Sequence, residues 1–108
     1  DEDTYAAPDM IKYSPGVGKQ WAHWAADGTI DSGSYNTTSV ARNSTGNYTV
    51  TIATDHSDAN YNMAGSLAAG DRNFSGSTTA AGTYIVVSTE ANGTVADSIC
   101  RAGTWGDQ

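Results

Sequence analysis

Leu67 is the only leucine and Phe74 the only phenylalanine in this chain. With five Ile and six Val they bring the Leu, Ile, Val and Phe share to roughly 12%, below the ~20% under which chains usually stay disordered. Against that stand Trp21, Trp24, Trp105 and six tyrosines, each able to bury about 150–250 Å². Serine and threonine make up roughly a quarter of the chain, and threonine suits a pleated, half-buried surface. The fold open to such a chain is therefore β-structure around a thin, aromatic core. A thin core also predicts an oligomer, because an obligate interface supplies apolar burial that a single protomer lacks.

A length of 108 residues is that of one domain. The formal charge of -7 and the pI near 4.3 come without any cluster of Lys or Arg. Such a chain has no means of displacing counterions from a phosphate backbone or of holding an anionic membrane surface, so neither is an expected partner. No apolar run approaches the ~20 residues of a membrane-spanning helix, and Asp1-Glu2-Asp3 is the reverse of a basic signal-peptide start. Because the chain opens on Asp1 and not on Met, it reads as a piece of a longer or processed protein. Cys100 is the single cysteine, so no internal disulfide is possible, and it reads as a small buried apolar side chain.

Residues 1–18, with Pro8, Pro15, Gly16 and Gly18, read as an extended arm, and residues 19–108 as the domain. Gln20 to Ala25 is a strand, closed by the hairpin signal Asp27-Gly28 and followed by a weak edge strand at Thr29 to Tyr35. Thr38 to Arg42 leads into a polar turn at Asn43 to Asn47. Tyr48 to Thr54 then alternates, with Tyr48, Val50 and Ile52 on one face. Asp55 to Asn60 reads as a loop, Tyr61 to Leu67 as a strand with Tyr61 and Met63 inward, and Gly70 to Gly76 as a loop. Gly82 to Thr89, the most apolar run, fits a central strand, Asn92-Gly93 a turn, and the run ending at Trp105 the last strand. Seven or eight short strands with almost no helical periodicity indicate an all-β, antiparallel sandwich or barrel, of which a jelly-roll-like sandwich is the expectation. Trp105→Ala is expected to cost on the order of 3–5 kcal/mol if the ring is buried at a core or subunit interface.

No catalytic cluster emerges. Asp55-His56-Ser57-Asp58 holds the residue types of a hydrolase triad, but neighbours on an extended chain point to opposite sides. As a cation loop it lacks the spacing and the glutamate of an EF-hand. His23 and His56 are the only histidines, so zinc is not expected, and His23 falls on the half-exposed face of the first strand. Neither a cofactor nor a metal is expected. Five N-x-S/T triplets begin at Asn36, Asn43, Asn47, Asn73 and Asn92. They would be glycan acceptors in a secreted eukaryotic protein, but asparagine gathers here in turns, and turn chemistry accounts for them more simply.

The order of motifs is similar to that of a known family. Pro15-Gly16-Val17-x-Lys19-x-Trp21, Asp27-Gly28, Tyr35-Asn36-x-x-Ser39-Val40, Thr45-Gly46-Asn47-Tyr48-Thr49-Val50-Thr51, Asp58-Ala59-Asn60-Tyr61 and Asn92-Gly93-Thr94-Val95-Ala96-Asp97 follow one another over residues 15–106. The set resembles the C-terminal β-domain of bacteriophage tail fibre and tail-tip proteins. It departs from that pattern at Ala25-Ala26, where a bulkier residue is usual, and in the short segment from Gly70 to Ala81. The resemblance implies a non-enzymatic virion structural protein: a homotrimeric fibre knob on a tail or head appendage, joined to other virion proteins through the arm and meeting a host surface receptor. A glycan is among the receptors so implied. The candidate contact residues are those in polar loops: Asn43, Thr45, Asp55, His56, Asp58, Asp71, Arg72 and Asn73. Two alternatives remain, a head-decorating fibre or cement protein that grips the capsid with its arm, and a secreted glycoprotein or carbohydrate-binding module.

Overall fold

The computed structural model describes residues 18–68 and 71–106. The expected arm lies outside them except for Gly18, which already opens the first strand. Eight strands follow in order: β1 (Gly18–Trp24), β2 (Ile30–Tyr35), β3 (Thr37–Ser44), β4 (Asn47–Ile52), β5 (Asn62–Leu67), β6 (Arg72–Ala80), β7 (Thr83–Glu90) and β8 (Cys100–Trp105). They form two four-stranded antiparallel sheets, β2-β1-β8-β5 and β3-β4-β7-β6, packed face to face as a β-sandwich. At the centre of each sheet lies a long-range pair, β1 with β8 and β4 with β7, with the local hairpins β1–β2, β3–β4 and β6–β7 added at its flanks.

Alternation decides what each face buries. In β4, Tyr48, Val50 and Ile52 turn inward; in β7, Tyr84 and Val86 do; in β1 and β8, Ala22, Trp24, Cys100 and Ala102 meet them from the other sheet. Trp24 is completely buried and meets Tyr48 edge to face, with centroids 5.8 Å apart at 61°, the geometry that a ring's positive edge prefers over a negative face. Aromatics thus supply the volume that aliphatic residues would fill elsewhere. The tyrosine hydroxyls are satisfied at the rim of the core, whereas the buried Trp24 indole N–H finds no acceptor among the described residues. Tyr48 Oη donates to the Ala26 carbonyl at 2.7 Å, Tyr84 Oη to Gln20 Oε1 at 3.0 Å, and Tyr61 Oη lies 2.7 Å from the Thr83 carbonyl. Burial pushes the Tyr48 and Tyr61 hydroxyls up to about 12, so they remain protonated donors.

Three expectations need correction. The segment from Gly70 to Gly76, expected as a loop, contributes most of its length to β6, which pairs with β7 from Arg72↔Glu90 to Ala80↔Thr83. Its Ser, Gly and Thr residues carry little strand signal because the position demands smallness. A Cβ on Gly76 would sit 2.5 Å from Met63 Cε, and one on Gly65 of β5 would meet the Phe74 ring at 2.6 Å. Edge strands β5 and β6 therefore close one side of the sandwich reciprocally, Met63 over Gly76 and Phe74 over Gly65. The turn expected over Asn43 to Asn47 is tighter, with strand up to Ser44 and from Asn47, so that Thr45 and Gly46 alone turn the chain. Trp105 lies on the outer face of β8 with Arg101 and Gly103 and is only partly buried; Trp24 is the tryptophan of the core.

Candidate functional site

Register sorts the loops into two ends. The β1–β2 and β3–β4 turns, Leu67 at the end of β5, Arg72 at the start of β6 and residues 91–99 lie at one end, because Trp24, Leu67 and Cys100 align in one sheet and Asn47 with Val87, Arg72 with Glu90 in the other. At the opposite end are Gly18, Trp105, the β6–β7 turn and residues 53–61.

The sequence candidates divide between these ends. Asn43, Thr45, Asp71, Arg72 and Asn73 share the first. Asn43 Nδ2 donates to Asn47 Oδ1 at 2.8 Å and to Thr49 Oγ1 at 2.7 Å, while Thr45 Oγ1 accepts from Arg42 Nη2 at 3.2 Å. Arg72 pairs with its neighbour Asp71 at 3.0 Å, and Asn73 Nδ2 reaches the Glu90 carbonyl at 3.4 Å. Asp55, His56 and Asp58 lie at the second end. Asp58 is spent on a local turn, accepting from Asn60 N at 2.8 Å. His56 corrects the expectation of an exposed contact residue: it is 3% exposed, stacked on Tyr61 with centroids 4.1 Å apart, with Nε2 2.8 Å from Thr104 Oγ1. No group of three or more His, Cys, Asp or Glu among the described residues could hold a metal ion. Cys100 is fully buried, and that burial pushes its thiol up to about 12, which removes the thiolate.

The first end is built around Asp97. Its carboxylate accepts from Arg42 Nε at 3.1 Å and from Gly46 N at 2.7 Å, and lies 3.3 Å from the Tyr48 hydroxyl, so one side chain ties the β3–β4 turn to the 91–99 loop. The Arg42 hydrogen bond first, and the Gly46 N–H second, hold Asp97 below its ordinary pKa of 3.8. A lowered folded value means that this contribution is complete well above 3.8, shrinks as pH drops through 3.8, and is gone below the depressed value. Thermal unfolding followed between pH 6 and 2.5 should therefore show a steeper acid loss in the native protein than in Asp97→Asn; superimposable pH profiles would show that Asp97 carries no such linkage.

Several described residues of the motifs singled out in the sequence are scaffold. Asn36, at φ 55°, donates to the Lys19 and Thr54 carbonyls and accepts from Thr54 N, clamping the chain where it crosses between sheets. Asn92 Oδ1 accepts from Thr94 N, and Tyr61 anchors the β6–β7 turn. These asparagines do the turn chemistry that their N-x-S/T settings predict.

Trp21 is the exception. It is 49% exposed on the outer face of β1, with Tyr35 53% exposed beside it on β2. Beside Trp21 runs an open trench of 410 Å³, lined by Trp21, His23, Ala64, Ser66, Arg101 and Gly103 among others. Register builds it: Tyr35, Trp21, Gly103 and Ala64 form one row across the sheet, and His23, Arg101 and Ser66 the next. His23 Nδ1 donates to Asp31 Oδ1 at 2.5 Å, which fixes the ring at the rim. The trench was not legible as a site from sequence, although the alternation of Trp21 and His23 against Ala22 and Trp24 already marked an outward aromatic. No family model matches the chain, and neither a curated protein nor a solved structure matches it.

Proposed function

We propose that this domain is the knob of a bacteriophage fibre or related virion appendage, a structural and non-enzymatic module that attaches the particle to its host. Support comes first from the ordered motifs at residues 15–106, whose described members act as the clamps of one sandwich: Asn36 at the crossover, Gly46 and Asp97 at the turn, Tyr61 at the far end. The observation that carries the reading is polarity. Residues 1–17 join the domain at Gly18, and the polar positions Asn43, Thr45, Asp71 and Asn73 lie at the end opposite to it. The polar loops at the end away from Gly18 support the reading that this end meets the host, although residues 53–61 at the Gly18 end are polar as well.

Trimerisation belongs to this proposal. Among the described residues the buried core comprises ten, with Cys100 and two alanines in it, and assembly into three copies would add apolar burial and multiply weak surface contacts by avidity. The test is the solution mass of the 108-residue chain by light scattering, together with binding of the labelled chain to a panel of bacterial cells. Expected are three times the 11.2 kDa chain mass and saturable binding confined to some strains. A monomer that binds none of them saturably would remove the proposal.

A further inference from the structure

We propose that the trench over Gly103 on the outer face of the β2-β1-β8-β5 sheet binds an acidic oligosaccharide, with Trp21 stacking on a sugar ring and Arg101 taking a carboxylate. This deepens the attachment reading and rests on it, but moves the ligand from the end loops to the sheet face.

The trench is broad and open to solvent, so a ligand there lies along the sheet and not inside a closed cavity. At 410 Å³ the trench is within the size range of small-ligand clefts. Its middle is bare: Gly103 has no side chain and Ala64 only a methyl, so the strands themselves form a floor with Trp21 as one wall. From Trp21 over Gly103 to Ala64 the trench crosses three strands, about 10 Å at the usual strand spacing, which gives room for a sugar ring beside the indole. Trp21 lies over the bare backbone of Gly33 and Gly103, where a Cβ would stand 3.7 Å from its Cη2 and 3.4 Å from its Cβ, while about half of the residue remains exposed. A rigid aromatic face with a polar rim is what the C–H face and the hydroxyls of a sugar need.

Charge selects an acidic ligand. In a chain of net charge -7, Arg42 pairs with Asp97, Arg72 pairs with Asp71, and Lys19 is buried with Nζ against the Gly106 carbonyl. Arg101 is exposed and makes no ion pair among the described residues, and it lines the trench. A guanidinium without a carboxylate is matched by a ligand that brings one, and the bidentate geometry rewards it. His23 and Ser66 stand beside it to meet hydroxyls.

The experiment titrates the full 108-residue chain with three labelled probes: a hexasaccharide of alternating glucuronate and N-acetylglucosamine, a sialylated trisaccharide, and neutral maltohexaose. At least one acidic probe should bind about tenfold or more tightly than the neutral one. Arg101→Gln should erase that preference, Trp21→Ala should weaken every saccharide about tenfold or more, and Ala64→Leu should block the trench. All three positions face solvent, so melting temperatures should stay within a few degrees of the native protein. Binding of neither acidic probe, equal binding of acidic and neutral probes, or affinities unmoved by the three substitutions would each overturn the site. So would a loss of self-association in Trp21→Ala, which would make the face an interface between copies. Cell binding that survives Trp21→Ala and Arg101→Gln but fails in Asn43→Ala or Asn73→Ala would keep the attachment function and discard the trench. Cell binding absent in every form would discard the attachment function itself.

Discussion

Trp24→Ala should lower the unfolding free energy by about 3–5 kcal/mol, the usual cost of truncating a fully buried tryptophan. The indole is completely buried between the sheets and presents its face or edge to Tyr48, so no solvent reaches the space it would vacate. Its neighbours cannot collapse into that space easily. Tyr48 is tied by its hydroxyl to Ala26, and Ala22 and Ala102 are too short to reach across. In a domain of this size each kcal/mol is worth roughly 4–8 °C, so the melting temperature should fall by tens of degrees or the chain should not fold at all. Trp105→Ala, on the outer face, should cost clearly less. A thermal scan comparing the two variants decides the matter: equal losses would show that the core does not centre on Trp24.

Gly46→Ala should cost about 3 kcal/mol or more, from two effects that a control separates. The backbone at Gly46 has φ 69°, a left-handed conformation that an alanine adopts only with strain. In addition a Cβ there would stand 2.5 Å from the Ser88 carbonyl oxygen and 2.8 Å from Ala96 N, both backbone atoms that cannot swing aside. Relief would break the Ser88 N to Gly46 O bond of 2.7 Å and the Ala96 N to Ser88 O bond of 3.0 Å, loosening the end that presents Asn43 and Thr45. Gly93 supplies the control. It also has positive φ, 91°, but nothing lies within 4 Å of its would-be Cβ, so Gly93→Ala should show the conformational strain alone, about 1–2 kcal/mol. Urea denaturation of both variants measures the difference; equal midpoints would mean that the crowding at Gly46 is relieved without cost.

Local sequence alone determined those strands whose one face is apolar and whose ends carry a turn residue. Tyr48, Val50 and Ile52 alternate and are buried as that alternation requires. Asp27-Gly28 closes a hairpin because Gly28 supplies φ 94°, and the short, β-branched run of β7 sits at the centre of its sheet. Each of these follows from periodicity or from one residue's conformational freedom, properties that act over a few positions.

Tertiary structure decided what depends on partners far along the chain. β6 is a strand because β7 and Met63 lie beside it; its own residues, small to make room for Met63, read as a loop. His56, polar and set among polar neighbours, is accommodated in the interior by Thr104, 48 positions later, which offers it a hydrogen bond, and by Tyr61, which offers a face to stack on. The trench exists because antiparallel register sets Gly103 of β8 between Trp21 of β1 and Ala64 of β5, and Arg101 between His23 and Ser66. A strand's alternation says which side chains share a face, but only the pairing of strands distant in sequence says which faces become one surface.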